Sequence, residues 1–174
     1  AFPKDIYSLS KYTISKLHQS SFCSNIYNLR VFGIFGPYED YQRRLISNNI
    51  VRIINNLPIQ YNKNVAFDYL CIDDFLSSIY RFLSLEKPKF NTYNLCVGKA
   101  YKFKEILETL ASVSNIDPSE IILKDKSYTN YEYSGDSSRL ESEIGTIGRT
   151  DLKTSISSLY EWYKSLDKSK LILI

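Results

Sequence analysis

Apolar positions along this chain fall into two rhythms, and the rhythms alternate. Residues 7–21 read as a helix. "IYNLRVFGIFG", 26–36, is apolar on both alternating faces, the mark of a strand buried in a parallel sheet. Gly36-Pro37 ends it. Ile46, Ile50, Ile53 and Leu57 then recur at helical spacing and predict a helix over 39–56, with Pro58 as its stop. "VAFDYLCI" predicts a second strand, with Asp73 or Asp74 capping the next helix. That helix turns Phe75, Leu76, Ile79, Phe82 and Leu83 to one face and ends before Pro88. "TYNLCVG" is a third buried strand, and Lys102 to Asn115 is helical with Phe103, Ile106, Leu107 and Leu110 inward. "IILK" is a short strand, and Thr154 to Leu166 a last helix packing Ile156, Leu159, Tyr160 and Tyr163. Residues 125–150, rich in Ser, Tyr, Gly and Glu, read as an excursion over the surface. The terminal "LILI" reads as a fragment of a further strand or a remnant without a partner. Strands alternating with helices predict an α/β chain with parallel strands.

Composition narrows the function classes. With 174 residues, 44% hydrophobic and 24% charged, the chain suits one ordinary domain with a real core. Its net charge of +3 is far from the basic stripe of a nucleic-acid binder. No apolar run approaches the roughly 18 residues of a membrane span. Cys23, Cys71 and Cys96 stand far apart in apolar runs, so they read as buried, reduced thiols of a cytoplasmic protein. His18 is the lone histidine, and no metal constellation exists. The chain holds no methionine, even at position 1, and reads as a piece of something longer.

"IYSLSKYT", 6–13, places Tyr7 four residues before Lys11, on one face of a helix. Chance produces that spacing in many helices, where the tyrosine is a core ring and the lysine a solvated charge. Four stretches downstream, in fixed order, change its weight: "LRVFGIFGPYED", "FDYLCIDDF", "YNLCVG", then "GDSSRLESEIG" before "SISSLYEWYK". Over roughly residues 2–166 this succession resembles the second half of the extended short-chain dehydrogenase/reductases, the NAD-dependent epimerase/dehydratase (nucleotide-sugar) family. Gly33 stands where that family usually has asparagine, Phe35 where it has tyrosine, and Phe67 where it has arginine. The asparagine and arginine touch the sugar nucleotide in several members.

The resemblance implies the C-terminal part of a Rossmann-type parallel sheet with a small substrate-binding α/β cap. Residues 1–37 and 72–98 would belong to the former, and 38–71 and 99–174 to the latter. It implies NAD or NADP as cofactor, a nucleoside-diphosphate sugar as substrate, and a homo-oligomeric parent. Tyr7 would be the acid/base, and Lys11 would favour its phenolate by Coulomb attraction and bond the nicotinamide ribose. Tyrosine alone, with a reference pKa near 10, is a poor base at neutral pH. Placed this way, a general acid/base supplies roughly 10²- to 10⁴-fold in rate. Arg43 and Arg44, with Arg52 on the same predicted helix, are anion candidates, because a planar guanidinium clamps a diphosphate better than an ammonium does; arginines on a solvated face are the plain alternative. Arg139, following the candidate cap Asp136, is a further substrate-binding candidate, and Tyr131 and Tyr133 could line the nucleotide or pack on the surface. Helix capping explains Asp73 and Asp74 better than paired acid/base work does.

The glycine-rich GxxGxxG turn that holds the dinucleotide pyrophosphate in this family is absent from the sequence, which has 6 glycines in all. The expectation is therefore an enzyme in the full-length parent, epimerase, dehydratase or reductase, and no activity from this chain alone. The rival from another class is a non-catalytic remnant that binds a sugar nucleotide or a partner subunit.

Overall fold

The computed structural model describes residues 3, 5–20, 25–124 and 131–173. It opens with α1 (Ile6–Ser20), whose N-terminus is capped by Asp5, its carboxylate accepting from Ser8 N at 2.8 Å and Ser8 Oγ at 2.7 Å. None of the residues of α1 is buried.

The expected strand 26–36 divides at Phe32. Its first part, β1 (Asn28–Val31), runs parallel to Thr92–Leu95, and its second, β2 (Gly33–Phe35), runs parallel to Ala66–Cys71. Gly33 explains the closeness of the second pair: a Cβ there would lie 2.7 Å from the Asp68 carbonyl oxygen. Only the end of this segment is fully buried, at Phe35, whereas Arg30 and Val31 are exposed. Burial on both faces, expected from the apolar run, is therefore corrected for β1, which has one strand neighbour among the described residues.

Next comes α2 (Leu45–Ile54), six residues later than the expected start at 39. Asn48 Nδ2 donates to the carbonyls of Tyr41 and Gln42, which a longer helix would need for its own ladder. Residues 40–44 therefore form a turn, with Arg43 N and Arg44 N both donating to Asp40 O. The short parallel pair of β3 (Gln60–Tyr61) and Ile122–Leu123 lies beyond this helix.

Strand β4 (Ala66–Cys71) buries Asp68 and Leu70 and passes directly into α3 (Ile72–Leu83), with Cys71 as N-cap. No side chain caps α3, which corrects the capping role expected of Asp73 or Asp74. Asp74 instead accepts from Thr150 N at 2.9 Å and Thr150 Oγ1 at 3.3 Å, tying α3 to the start of the last helix. On α3, Phe82 is buried, whereas Leu76 and Leu83, expected inward, are exposed.

After β5 (Thr92–Leu95) the chain reverses at Val97 and Gly98, whose N–H groups donate to the Asp68 carboxylate at 2.9 and 2.7 Å. Gly98 has φ +80°, which suits glycine. The reversal sends β6 (Ala100–Lys102) back antiparallel to β4, the one departure from the parallel expectation among the described pairings. Then come α4 (Phe103–Ser114), β7 (Ile122–Leu123), β8 (Glu132–Tyr133, parallel to β4), α5 (Ser138–Ile144) and α6 (Leu152–Lys164).

Two cores result. One lies among Ile46, Ile50 and Val51 of α2, Ile106, Leu107 and Leu110 of α4, and Ile156, Leu159 and Tyr163 of α6. Leu171, from the terminal "LILI", is buried in it, so that segment is neither a strand nor without a partner. The other joins Leu70, Phe82, Tyr93 and Leu95 to Leu140, Ile144 and Ile147. The expectation of a surface excursion over 125–150 is thereby corrected for α5 and the turn after it: Leu140 and Ile144, one helical turn apart, and Ile147 beyond the helix end are buried inside a polar composition. Cys96 is buried and Cys71 partly buried, both free thiols; Cys23 lies outside the described residues. Among the described residues no helix is long and apolar enough to cross a membrane.

Candidate functional site

The turn before α2 stands between two hollows. The larger, ≈ 700 Å³, is lined by Arg43, Arg44 and Arg52, by Lys63 after β3, and by Lys124 after β7. Among the described residues no aspartate or glutamate lines it. Five cations in one cleft, against a net +3 for the whole chain, make a local anion trap. Amides of Gln42, Asn48, Asn49, Gln60 and Asn62 share the wall with the rings of Tyr61, Tyr69, Phe103 and Tyr131. Asn49 is already committed, exchanging bonds of 2.9 and 2.7 Å with the Gln60 backbone. Arg52 Nε donates to Pro58 O at 2.7 Å, which fixes that guanidinium.

The smaller hollow, ≈ 460 Å³, is lined by Tyr7 of α1, by residues 31–35 of β1 and β2, by Glu39, and by Tyr133 of β8. Arg44, Leu45, Phe67 and Tyr69 line both hollows, so the two adjoin across the start of α2. Arg44 is the N-cap of α2 and its own side chain makes no cap bond; the Glu39 carboxylate takes the Ser47 N–H, and the remaining N–H groups of the first turn are the part of this end that an anion could use.

Of the residues singled out in the sequence, Tyr7, Arg43 and Arg44 are brought to this composite hollow. Tyr7 is 70% exposed, and Lys11 Nζ sits over its ring, 5.5 Å from the ring centre. Lys11 lines neither hollow. Arg43 makes a loose ion pair with Asp40 at 3.8 Å. Arg139 is placed elsewhere, on α5, with its guanidinium 5.0 Å above the Phe90 ring. Asp136 Oδ1 does accept from Ser138 N at 2.8 Å, at the start of α5. Tyr131 lines the larger hollow and Tyr133 the smaller.

Three departures from the family pattern acquire a local reason. At Gly33 a side chain would run into the β4 backbone, so asparagine has no room there. Phe67, in place of arginine, stacks within 5.2–6.2 Å of Phe103, Tyr133, Tyr131 and Tyr69. The charge absent at 67 is replaced in the cleft by Lys63, four residues before Phe67, and by Lys124, just beyond β7. Phe35 is buried against Tyr69, with ring centres 6.1 Å apart.

The sequence reading missed Glu39, Tyr69, Lys63, Lys124 and Leu173. Burial pushes the Glu39 carboxyl above its usual range, against the opposing pull of the Ser47 hydroxyl that donates to it and of the Arg44 charge. Burial, with the nearby Glu39 charge, pushes Tyr69 up to about 12. A carboxyl and three phenols, those of Tyr7, Tyr69 and Tyr133, therefore share one hollow with Arg44.

No family model matches the chain. It is 28% identical over 123 residues to the ADP-L-glycero-D-manno-heptose-6-epimerase of Brachyspira hyodysenteriae (strain ATCC 49526 / WA1), a match covering 64% of this chain and 38% of that protein. The dTDP-glucose 4,6-dehydratase of Bacillus anthracis str. Ames, solved with NAD, superposes with TM-score 0.81 at 16% identity, over 98% of this chain and 56% of that one. The UDP-glucuronic acid 4-epimerase of Bacillus cereus, solved with UDP-glucuronic acid and NAD, gives TM-score 0.81 at 17% identity, over 95% and 55%. The chain thus spans little more than half of these solved enzymes and less of the curated relative. Its fold is that of the corresponding part of these Rossmann-type enzymes, lacking a glycine-rich GxxGxxG turn in its sequence, and in sequence it is similar to the heptose epimerase.

Proposed function

We propose that this chain is the sugar-nucleotide-binding and acid/base part of an NAD(P)-dependent nucleotide-sugar epimerase, dehydratase or reductase. One observation carries the reading: Arg44 lines both the basic cleft and the hollow that contains Tyr7. A nucleoside diphosphate held by Arg44, Arg43 and the N-terminus of α2 would present its sugar toward Tyr7. Tyr7 would take or return the proton of a sugar hydroxyl, and Lys11, one turn on, would favour the phenolate and hold a cofactor ribose hydroxyl.

NAD or NADP, when bound, supplies the hydride acceptor or donor. Of the contacts a dinucleotide needs, residues 1–174 provide the Tyr7–Lys11 pair; the glycine-rich cradle for the pyrophosphate is not among them. The exposed apolar residues Ile6, Leu9, Ile14 and Leu17 of α1 suit a surface covered in a homo-oligomeric, cytoplasmic parent. The same exposure of α1 favours a second reading, a non-catalytic chain that binds a sugar nucleotide or a partner subunit through this helix.

Calorimetric titration with UDP and ADP tests the anion site. Arg44→Ala should weaken binding by about 1.5–3 kcal/mol, the scale of a hydrogen bond to a charged group. Arg43→Ala should cost less, because the Arg43 side chain is 86% exposed and tethered only to Asp40. Equal affinities in wild type and both variants would return these arginines to the solvated face.

A further inference from the structure

The larger hollow has a wall that the α/β framework does not supply. After α6 the chain makes a single 3₁₀ turn over Lys168–Lys170 and continues irregularly past Leu171. Leu171 is 4% exposed, anchored in the core beneath α2, and Asn55 Nδ2 donates to its carbonyl at 2.9 Å. From that anchor the tail runs beside the turn that precedes α2. Gln42 Nε2 donates to Ile172 O at 2.6 Å, and the Tyr41 hydroxyl lies 3.3 Å from the carbonyls of both Lys170 and Ile172. Leu173 then lines the basic cleft itself.

Tyr41 and Gln42 are the two residues immediately before Arg43 and Arg44. The turn that carries the arginines is tied to Asp40 through Gln42 N, Arg43 N and Arg44 N and to Asn48 through the carbonyls of Tyr41 and Gln42, so it moves as one unit. Bonds from the tail to its first half therefore restrict the arginine-bearing half as well. Arginines held in place before an anion arrives lose less freedom on binding it, which raises affinity without a new contact.

Resting on the anion-site reading above, we propose that residues 168–173 are a positioning strap for Arg43 and Arg44 that brings Leu173 into the wall of the nucleotide cleft. Leu173 is then close enough to a bound diphosphate for a charge placed there to be felt. Tyr41 and Gln42 act as positioning residues, through the tail rather than on the ligand.

Opposite charges at one position make the test. Leu173→Asp should weaken UDP binding about two- to fivefold, and Leu173→Lys should strengthen it by a similar factor, as expected for a solvent-exposed charge pair. Both effects should fade in 0.5 M salt, where the screening length is a few ångströms. Both variants should lose a similar, small amount of melting temperature, since Leu171 is the buried anchor and Leu173 only packs against the edge of the core, so a shared loss of packing cannot produce opposite effects on UDP binding. Ending the chain after Leu171 removes the Ile172 carbonyl that Gln42 and Tyr41 hold and should likewise weaken UDP binding, with the chain still folded by its near-native melting transition because Leu171 stays in the core. Equal losses from both charges, or no effect from either while Arg44→Ala still weakens UDP binding, would overturn the strap and leave the anion site standing. Absence of UDP and ADP binding in wild type would overturn both.

Discussion

Asp68→Ala should destabilise the fold by about 3–5 kcal/mol in urea denaturation, more than any other single side-chain truncation in the β4 region. Asp68 is 0% exposed. Its carboxylate receives Val97 N at 2.9 Å and Gly98 N at 2.7 Å, and the Lys99 and Gly135 backbone also bonds to it. Truncation leaves several buried N–H groups without acceptors, at about 1–3 kcal/mol each. It also releases the reversal that lets β6 return along β4, which aligns the aromatic wall at Phe67. Asp68→Asn, keeping shape and one acceptor, should cost less than Asp68→Ala. Burial outweighs those bonds and pushes the Asp68 carboxyl above its usual range. A folded-state value above the unfolded one means that the folded chain holds the proton more tightly. The stability contribution of Asp68 is then full below the ordinary carboxylate value, about 3.9, and declines as pH rises through the folded value. The deficit of Asp68→Ala should accordingly be larger at pH 3 than at pH 7. A deficit under 1 kcal/mol at both would show that the turn holds without it.

The second large effect concerns turnover. On the proposed reading, Tyr7→Phe in the full-length parent should lower kcat by about 10²-fold or more and change KM little. The substitution keeps the ring beneath Lys11 and removes only the hydroxyl. Tyr7 is 70% exposed and makes one wall of a hollow shared with Arg44, so no buried packing is lost that could mimic a catalytic defect. Steady-state kinetics with a nucleoside-diphosphate sugar would show it. Near-normal turnover would remove Tyr7 from the mechanism and leave the second, non-catalytic reading in place.

Much of the framework was legible from periodicity. The α4 stripe of Ile106, Leu107 and Leu110 and the α6 stripe of Ile156, Leu159 and Tyr163 are buried as their spacing requires. Competition for backbone groups was beyond the reach of periodicity. The late start of α2 comes from one side-chain amide, that of Asn48, taking two carbonyls. The absence of a carboxylate cap on α3 comes from Asp74 being engaged by Thr150, 76 residues away. The split at Phe32 depends on a close approach at Gly33 that only the paired strand reveals.

The site divided in the same way. Tyr7 lies within the quoted "IYSLSKYT", and Arg43 and Arg44 stand out as adjacent basic residues after "GPYED"; all three line the composite hollow. Lys63, Lys124 and Leu173 are spread over 111 residues and meet only through the β3–β7 pair and the terminal strap. A weak signal existed in the terminal "LILI", whose apolar pair around Leu171 and Leu173 had to be covered by something. Which surface covered it was not readable, because a chain end carries no periodicity. Arg139 was readable as a basic residue after a cap, but its guanidinium lies over Phe90.

The central claim is that these 174 residues hold the sugar-nucleotide end of such an enzyme and little of its dinucleotide cradle. A ribose contact through Lys11 contributes about 1.5–3 kcal/mol, short of the roughly 4 kcal/mol that even millimolar binding represents. Titrating the purified chain in parallel with UDP, ADP and NAD(H), each with and without Arg44→Ala, separates the two ends. The account predicts measurable, Arg44-dependent binding of a nucleoside diphosphate, and NAD(H) binding no tighter than about 1 mM. Micromolar NAD(H) binding that UDP does not displace, or no nucleoside diphosphate binding at all, would contradict it.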